Sequence, residues 1–380
     1  MSQDIRDFVT TAELVALGEP THQEPAFGHL RNELFAQLAA HGFRSIALET
    51  CRVAALAVND YVQEGIGTLD SVLAEGFTHN FGELAANREL VAWMREYNEG
   101  RPPADRLACH GFDAAMETFS VPSPRRFLEH ARDYLGLDLD FAALLGADEQ
   151  WSDTAAVMDP DQSPGATPEA VRARVLADEL LTMLDQCAPG LIATTSRAAW
   201  ERARVHLTAG LDLLRYHYLA AQQIESNERW GRLSATRDTF MARNILDIRG
   251  LEARRGGTLL GAHNLHLQTR QSHMAMGPLT ISWLSAGAMV AALTQERYTF
   301  VAGSLGRSAK IGLGEPHPDT YEAELQERFA TWGLTKAEAI APAEVRTDMT
   351  PQQGYFPLDE FNLGGAAAVL HVSDGAAVGS

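Results

Sequence analysis

At 380 residues with 46% hydrophobic side chains, the chain can bury a full core as one large domain or two smaller ones. A net charge of −19 argues against a nucleic-acid backbone or an anionic membrane surface as partner, which leaves a small-molecule substrate as the expected ligand and the oligomeric state open. Cys51, Cys109 and Cys187 are few, odd in number and far apart, so neither a disulfide framework nor a zinc knuckle is expected. Without a membrane-length apolar run or a basic-then-apolar leader, the expected compartment is the cytoplasm.

Residues 1–13 read as a lead-in with room for one helical turn. Leu14 to Leu17 is a short apolar run that ends in Gly18-Glu19-Pro20-Thr21-His22, as a buried strand ends at its loop. Phe27 to His41 carries Phe27, Leu30, Leu34 and Leu38 at helical spacing. Ser45 to Leu48 then repeats the apolar run and ends in Glu49. Strand, helix and strand with so short a crossover form a parallel βαβ unit, which brings Glu19, His22 and Glu49 to the carboxyl ends of two neighbouring strands. Arg31 lies on the face that this helix buries, so its guanidinium needs a carboxylate, with Glu19 and Glu49 as candidates.

Cys51 to Glu64 and Asn80 to Asn98 read as further helices, and Leu107 to Asp113 as a third strand. From Val121 to about Gly256 only helical periodicity remains. Leu207, Leu211, Leu214 and Tyr218 form one stripe, and Met241, Ile245 and Ile248 another. The expected fold is therefore α/β, a mostly parallel central sheet flanked by helices, with residues 121–256 as a helical insertion that forms a lid over the carboxyl edge. Residues 1–120 and 257–380 supply the two parts of the core. In the second part, Thr258 to Ala262 leads into His263-Asn264-Leu265-His266. Tyr298 to Gly303 and Ala366 to Val372 are later strands, and Ser304 to Pro318 is a loop.

Strand ends that carry Glu19, His22, Glu49, His263 and His266 can converge on one small substrate, since parallel strands lie about 4.8 Å apart. His22 suits a general base, oriented by Glu19 or Glu49, with Arg31 fixing that carboxylate. His263 or His266 can donate to an oxyanion. The same donors form a plausible zinc or manganese set, so no cofactor is required but a divalent metal stays open. Asp113 suits a substrate contact or a helix cap, and Arg237 a substrate contact or a partner for a core carboxylate. His79 and Asn244 carry weaker signals. No G-x-S-x-G elbow, dinucleotide fingerprint or Walker loop is present, and Cys51 and Cys109 read as buried spectators.

These residues resemble the erythromycin esterases, whose pattern is a strand ending G-E-x-T-H, an Arg nine residues after that His, a later strand ending in Glu, and a distant A-H-N-x-H. Here these are Gly18 to His22, Arg31, Ala47-Leu48-Glu49 and Ala262 to His266. The resemblance implies an α/β core under a helical subdomain and hydrolysis of an ester or macrolide lactone by His-activated water. It sets Glu19, Arg31, Glu49, His263 and His266 around His22, with Asp238 and Asn264 on the substrate side. Gln23 and Ala26 stand where the family has Gly and Glu, and Glu24 is the carboxylate placed to substitute. Elimination, cyclisation or acyl transfer by the same His is the alternative, as in natural-product biosynthesis.

Overall fold

A computed structural model describes residues 4–9 and 12–378. Of the lead-in, the described part holds one short turn, Ile5–Asp7, and residues 1–3, 10 and 11 lie outside the described residues. The first strand, β1 (Leu14–Glu19), is buried along almost its whole length. That is why it reads as an unbroken apolar run: it has parallel neighbours on both edges and a layer on both faces. Val15 and Leu17 enter one core with Leu30, Leu34 and Leu38 of α1 (Pro25–Ala39), while Leu14 and Ala16 enter a second core on the opposite face. Each fully buried aliphatic side chain of this kind contributes about 1.5–3 kcal/mol.

After α1 come β2 (Phe43–Cys51), α2 (Ala55–Glu64), α3 (Leu69–Gly76), α4 (Ala85–Asn98) and β3 (Ala108–Asp113). Helix α2 stops at Gly65, whose φ of 73° supplies the left-handed cap. Helix α3 is an element the sequence pattern did not announce. The helix expected from Asn80 begins later, at Ala85, because His79 and Asn80 both have φ of 58° and turn the chain instead. The stretch between β3 and the next strand, β4 (Gly257–His263), contains no strand among the described residues. Its long helices are Arg125–Leu135, Pro168–Gln186, Arg197–Ala220 and Ser226–Glu252. Leu207, Leu211 and Leu214 close a separate core within this insertion, whereas Met241, Ile245 and Ile248 of Ser226–Glu252 pack on the main sheet.

The remaining strands are β5 (Gln271–Met276), β6 (Leu279–Leu284), β7 (Tyr298–Arg307), β8 (Trp332–Lys336) and β9 (Ala368–Asp374). The main sheet has seven strands in the order β3-β2-β4-β1-β7-β9-β8, parallel except for β8 against β9. Strands β5 and β6 form a separate antiparallel hairpin. The hairpin and β8 escaped the pattern because short, half-exposed strands lack a continuous apolar run. Strand β7 also runs further than expected, so the loop after it begins at Ser308 rather than Ser304.

One expectation fails in an informative way. Strands β1 and β2 are parallel but not neighbours, because β4 pairs with both and lies between them. A one-helix crossover can skip a strand position, so its length fixes the parallel sense but not adjacency.

Candidate active site

The carboxyl ends of the four strands β3, β2, β4 and β1 meet at one cleft. The β4 insertion between β1 and β2 draws the cluster together, since Glu19 and His263 become paired neighbours in the register. The ladder between β2 and β3 shifts between Leu48 and Cys51, an irregularity at the position that presents Glu49. Glu49 is the hub. Its Oε2 accepts the backbone N–H of His263 at 2.9 Å and lies 3.6 Å from His22 Nε2. Its Oε1 lies 3.2 Å from Arg237 Nη2 and 3.4 Å from His266 Nε2. Burial alone would raise the Glu49 pKa, but the charges of His266, His22 and Arg237 outweigh it and bring it to about 2.

His22 sits in the loop after β1, with Nδ1 against Glu19 Oε1 at 2.6 Å. Burial disfavours its charged form, yet the charge of Glu49 and the hydrogen bond to Glu19 prevail and raise its pKa to about 9. Its ring meets Phe81 at 5.0 Å and His263 edge-on at 5.3 Å. His263 behaves oppositely. Burial and the neighbouring His22 charge push its pKa down to about 3, so it is neutral. Its Nδ1 accepts the Leu265 N–H at 3.2 Å, which assigns the proton to Nε2. That Nε2 makes no full hydrogen bond among the described residues, although the Pro20 carbonyl stands close enough to favour its proton. His266 is held at both nitrogens, by Asp238 at 2.7 Å and Glu49 at 3.4 Å. Burial lowers its pKa, and these carboxylates more than restore it. Of the two histidines of A-H-N-x-H, His263 is the one whose ring nitrogens meet no carboxylate.

Several sequence assignments change in the folded chain. The arginine that pairs with Glu49 is Arg237, not Arg31. Arg237 comes from the helix Ser226–Glu252 and also grips Asp113 at 2.7 and 3.0 Å. Arg31 instead donates to the amide oxygens of Asn32 and Asn87. Asp113 is fully buried and accepts from Arg237, His79 and the Ala114 N–H, so it holds the site's frame rather than a substrate. Burial raises the Asp113 pKa, but Arg237 and His79 bring it well below the usual range. Asp238 has its oxygens on His266, the Trp283 indole N–H and the Ala286 N–H, so it positions His266. Glu24 lines the cleft, but its oxygens accept from the Ala26 N–H at the start of α1 and from the Ser308 hydroxyl.

Asn264 is also structural. Strand β1 leaves β7 after the pair Leu17 and Val301, which strips Gly303 of its ladder partner. The Asn264 amide takes the vacated place, donating to the Gly303 carbonyl at 2.8 Å and accepting its N–H at 2.9 Å. This explains Gly18, where a Cβ would lie 2.1 Å from Asn264 Oδ1.

The cleft has two chambers. The larger, about 650 Å³, is lined by Leu17, Phe27, Arg31, Phe77, Asn87 and Lys310 among others. The smaller, about 450 Å³, includes Arg237, His263, His266, Met274, Trp283 and Phe356. His22, Gln23, Glu49, His79 and Phe81 line both. From the insertion, Ser234, Arg237 and Asp238 reach the walls, as does Thr118 just after β3. The β5–β6 hairpin, the segment at Gly354 and Phe356, and Thr21 and Leu265 supply the rest of the smaller chamber. Sequence reasoning ranked His79 low and missed Phe81, Asn87 and Trp283, which carry no local signal. The left-handed pair His79 and Asn80 is a backbone feature of the kind that clusters at functional sites. Asn244 donates to the Phe112 carbonyl and supports β3. Cys51 and Cys109 are buried, with thiols pushed up by desolvation to about 11 and about 12. Among the described residues, no three His, Cys, Asp or Glu side chains are arranged to hold a metal ion, and no helix is long and apolar enough to cross a membrane.

Three solved structures share the fold. A Bacillus cereus protein matches with a TM-score of 0.69 at 16% identity, over 97% of this chain and 90% of its own. A mutant of the erythromycin esterase EreC in its open conformation matches with a TM-score of 0.68 at 19% identity, over 97% and 92%. A succinoglycan biosynthesis protein matches with a TM-score of 0.66 at 14% identity, over 97% and 90%. None of the curated proteins matches the chain. The family profile named Erythromycin esterase matches residues 38–371, which contain Glu49, Arg237, His263 and His266. With most of its length inside that match and all four strand ends in place, the chain belongs to the erythromycin esterase family.

Proposed function

We propose that this protein hydrolyses an ester or lactone with water activated by His22, without a covalent enzyme intermediate. The observation that carries this is the setting of His22, with Nδ1 on Glu19 at 2.6 Å and Nε2 facing Glu49 at 3.6 Å where the two chambers meet. Glu19 fixes the ring, which makes Nε2 the working nitrogen. It takes a proton from water as the oxygen attacks the carbonyl carbon. The imidazolium so formed lies between two carboxylates that favour its charge. His263, neutral and with its Nε2 proton held by no carboxylate, donates to the oxyanion. His22 then returns the proton to the leaving alkoxide as the tetrahedral intermediate collapses.

Family membership supports ester hydrolysis, and a macrolide lactone is the substrate that the family's name suggests. The same fold also carries a protein named for succinoglycan biosynthesis, so the fold does not choose the substrate. The test is a mass-spectrometric screen of esters and lactones in water labelled with heavy oxygen. A hydrolase places one labelled atom in the acid product, and His22→Gln lowers the rate at least about a hundredfold. Product without label would refute hydrolysis, and full activity in His22→Gln would refute the base assignment.

A further inference from the structure

Most of the charges around the cleft pair off. Glu19 meets His22, Glu49 meets Arg237 and His266, Asp113 meets Arg237 and His79, and Asp238 meets His266. Glu24 is engaged by the start of α1 and by Ser308. Lys310 and Glu83, of opposite sign, both stand exposed at the mouth of the larger chamber. Arg31 lines that chamber and, among the described residues, stands in no ion pair. Its Nε and Nη2 donate to Asn32 Oδ1 at 3.2 and 2.9 Å, and Nη2 donates to Asn87 Oδ1 at 2.8 Å. Both acceptors are neutral.

The guanidinium is held from two sides. Asn32 gives its amide protons to the Ala86 carbonyl and Asn87 gives its own to the Phe81 carbonyl, so each turns its oxygen toward Arg31. Gly261 of β4 leaves room for the stem, since a Cβ there would lie 2.9 Å from Arg31 Cδ. Nη1 hydrogen-bonds to no described residue. Desolvation lowers the proton affinity of Arg31, and the more distant Glu19 charge offsets this in part. A fixed, poorly hydrated guanidinium with no carboxylate in hydrogen-bond contact is costly, and its planar fork matches a carboxylate.

We propose that the larger chamber binds the anionic end of the substrate, a carboxylate carried on an apolar ester or lactone, with Arg31 as its binding residue. Leu17, Phe27, Leu48 and Phe77 form apolar walls for the body of such a ligand, and His22 and Glu49 stand on the wall shared with the second chamber. The proposal deepens the hydrolase reading by naming the charge class of its substrate.

Calorimetric titration of the full chain with hexanoate and with hexanamide, its neutral counterpart, tests this without turnover, so a failed hydrolysis screen and a failed titration remain separate results. Hexanoate should bind at least about tenfold more tightly than hexanamide, as expected for a charge-assisted hydrogen bond. Arg31→Met should bring hexanoate down to the affinity of the amide, and Arg31→Lys should keep part of the difference. If Arg31→Met does not fold, the two-probe comparison on the natural chain and on Arg31→Lys decides. Equal affinity for the two probes, no binding of hexanoate, or undiminished hexanoate binding by a folded Arg31→Met would overturn the proposal.

Discussion

Arg237 joins the insertion to the sheet, and its removal is the most informative single perturbation. Arg237→Met keeps the unbranched stem and deletes the charge. Asp113 loses a two-point contact at 2.7 and 3.0 Å, and Glu49 loses one at 3.2 Å. The Asp113 side chain is 0% exposed and that of Glu49 is 5% exposed, so neither can recover its solvation in water. Breaking a buried pair from one side costs about 3–5 kcal/mol. Asp113 keeps His79 and the Ala114 N–H, and Glu49 keeps two histidines. The expected loss is therefore about 3 kcal/mol, the low end of that range. Urea unfolding at neutral pH should show a lower midpoint with an unchanged slope.

The sign of the pH dependence follows from the depressed carboxylates. In the natural chain Asp113 and Glu49 titrate below their unfolded values, so their stabilisation is present above about pH 4 and is lost as acid protonates them. Without Arg237 both pKa values rise, and protonation relieves the variant first. The difference between the two proteins should thus be largest near neutrality and shrink below about pH 4. A neutral-pH loss under about 1 kcal/mol, the scale of a surface pair, would refute the argument, as would a loss that stays constant in acid.

Two further outcomes follow from the same geometry. With the His22 pKa raised to about 9, its basic form is a minor species at neutral pH, so kcat/KM should climb with pH and level off near 9; a plateau already reached at pH 6 would show that another group is the base. Asn264→Ala leaves the buried Gly303 N–H and carbonyl without partners, so denaturation should report a loss of about 2–4 kcal/mol; an unchanged midpoint would mean that β1 closes the gap by itself.

Much of the site was readable before folding. Buried parallel strands must be apolar throughout, so Leu14 to Leu17, Ser45 to Leu48 and Thr258 to Ala262 announce themselves, and polar residues just beyond them fall at the sheet's rim. Glu19, His22, Glu49, His263 and His266 could be named because their positions follow from this local rule. Asn264 and Asp238 could be named, but their expected place on the substrate side gives way to structural roles on Gly303 and His266. An amide that completes a strand ladder and one that meets a ligand look alike until the neighbouring backbone is in place.

Local periodicity therefore determined which segments are strands, which faces are buried and which polar groups reach the rim. The three-dimensional arrangement alone decided that β4 lies between β1 and β2, that Arg237 rather than Arg31 neutralises Glu49, and that His79 and Phe81 wall the cleft. The physical reason is range. Alternating burial is set by the geometry of a few consecutive residues. Strand order and the choice of ion partner depend on contacts between segments far apart in the chain, such as Glu49 and Arg237, where every carboxylate and guanidinium is chemically equivalent until packing brings two of them together.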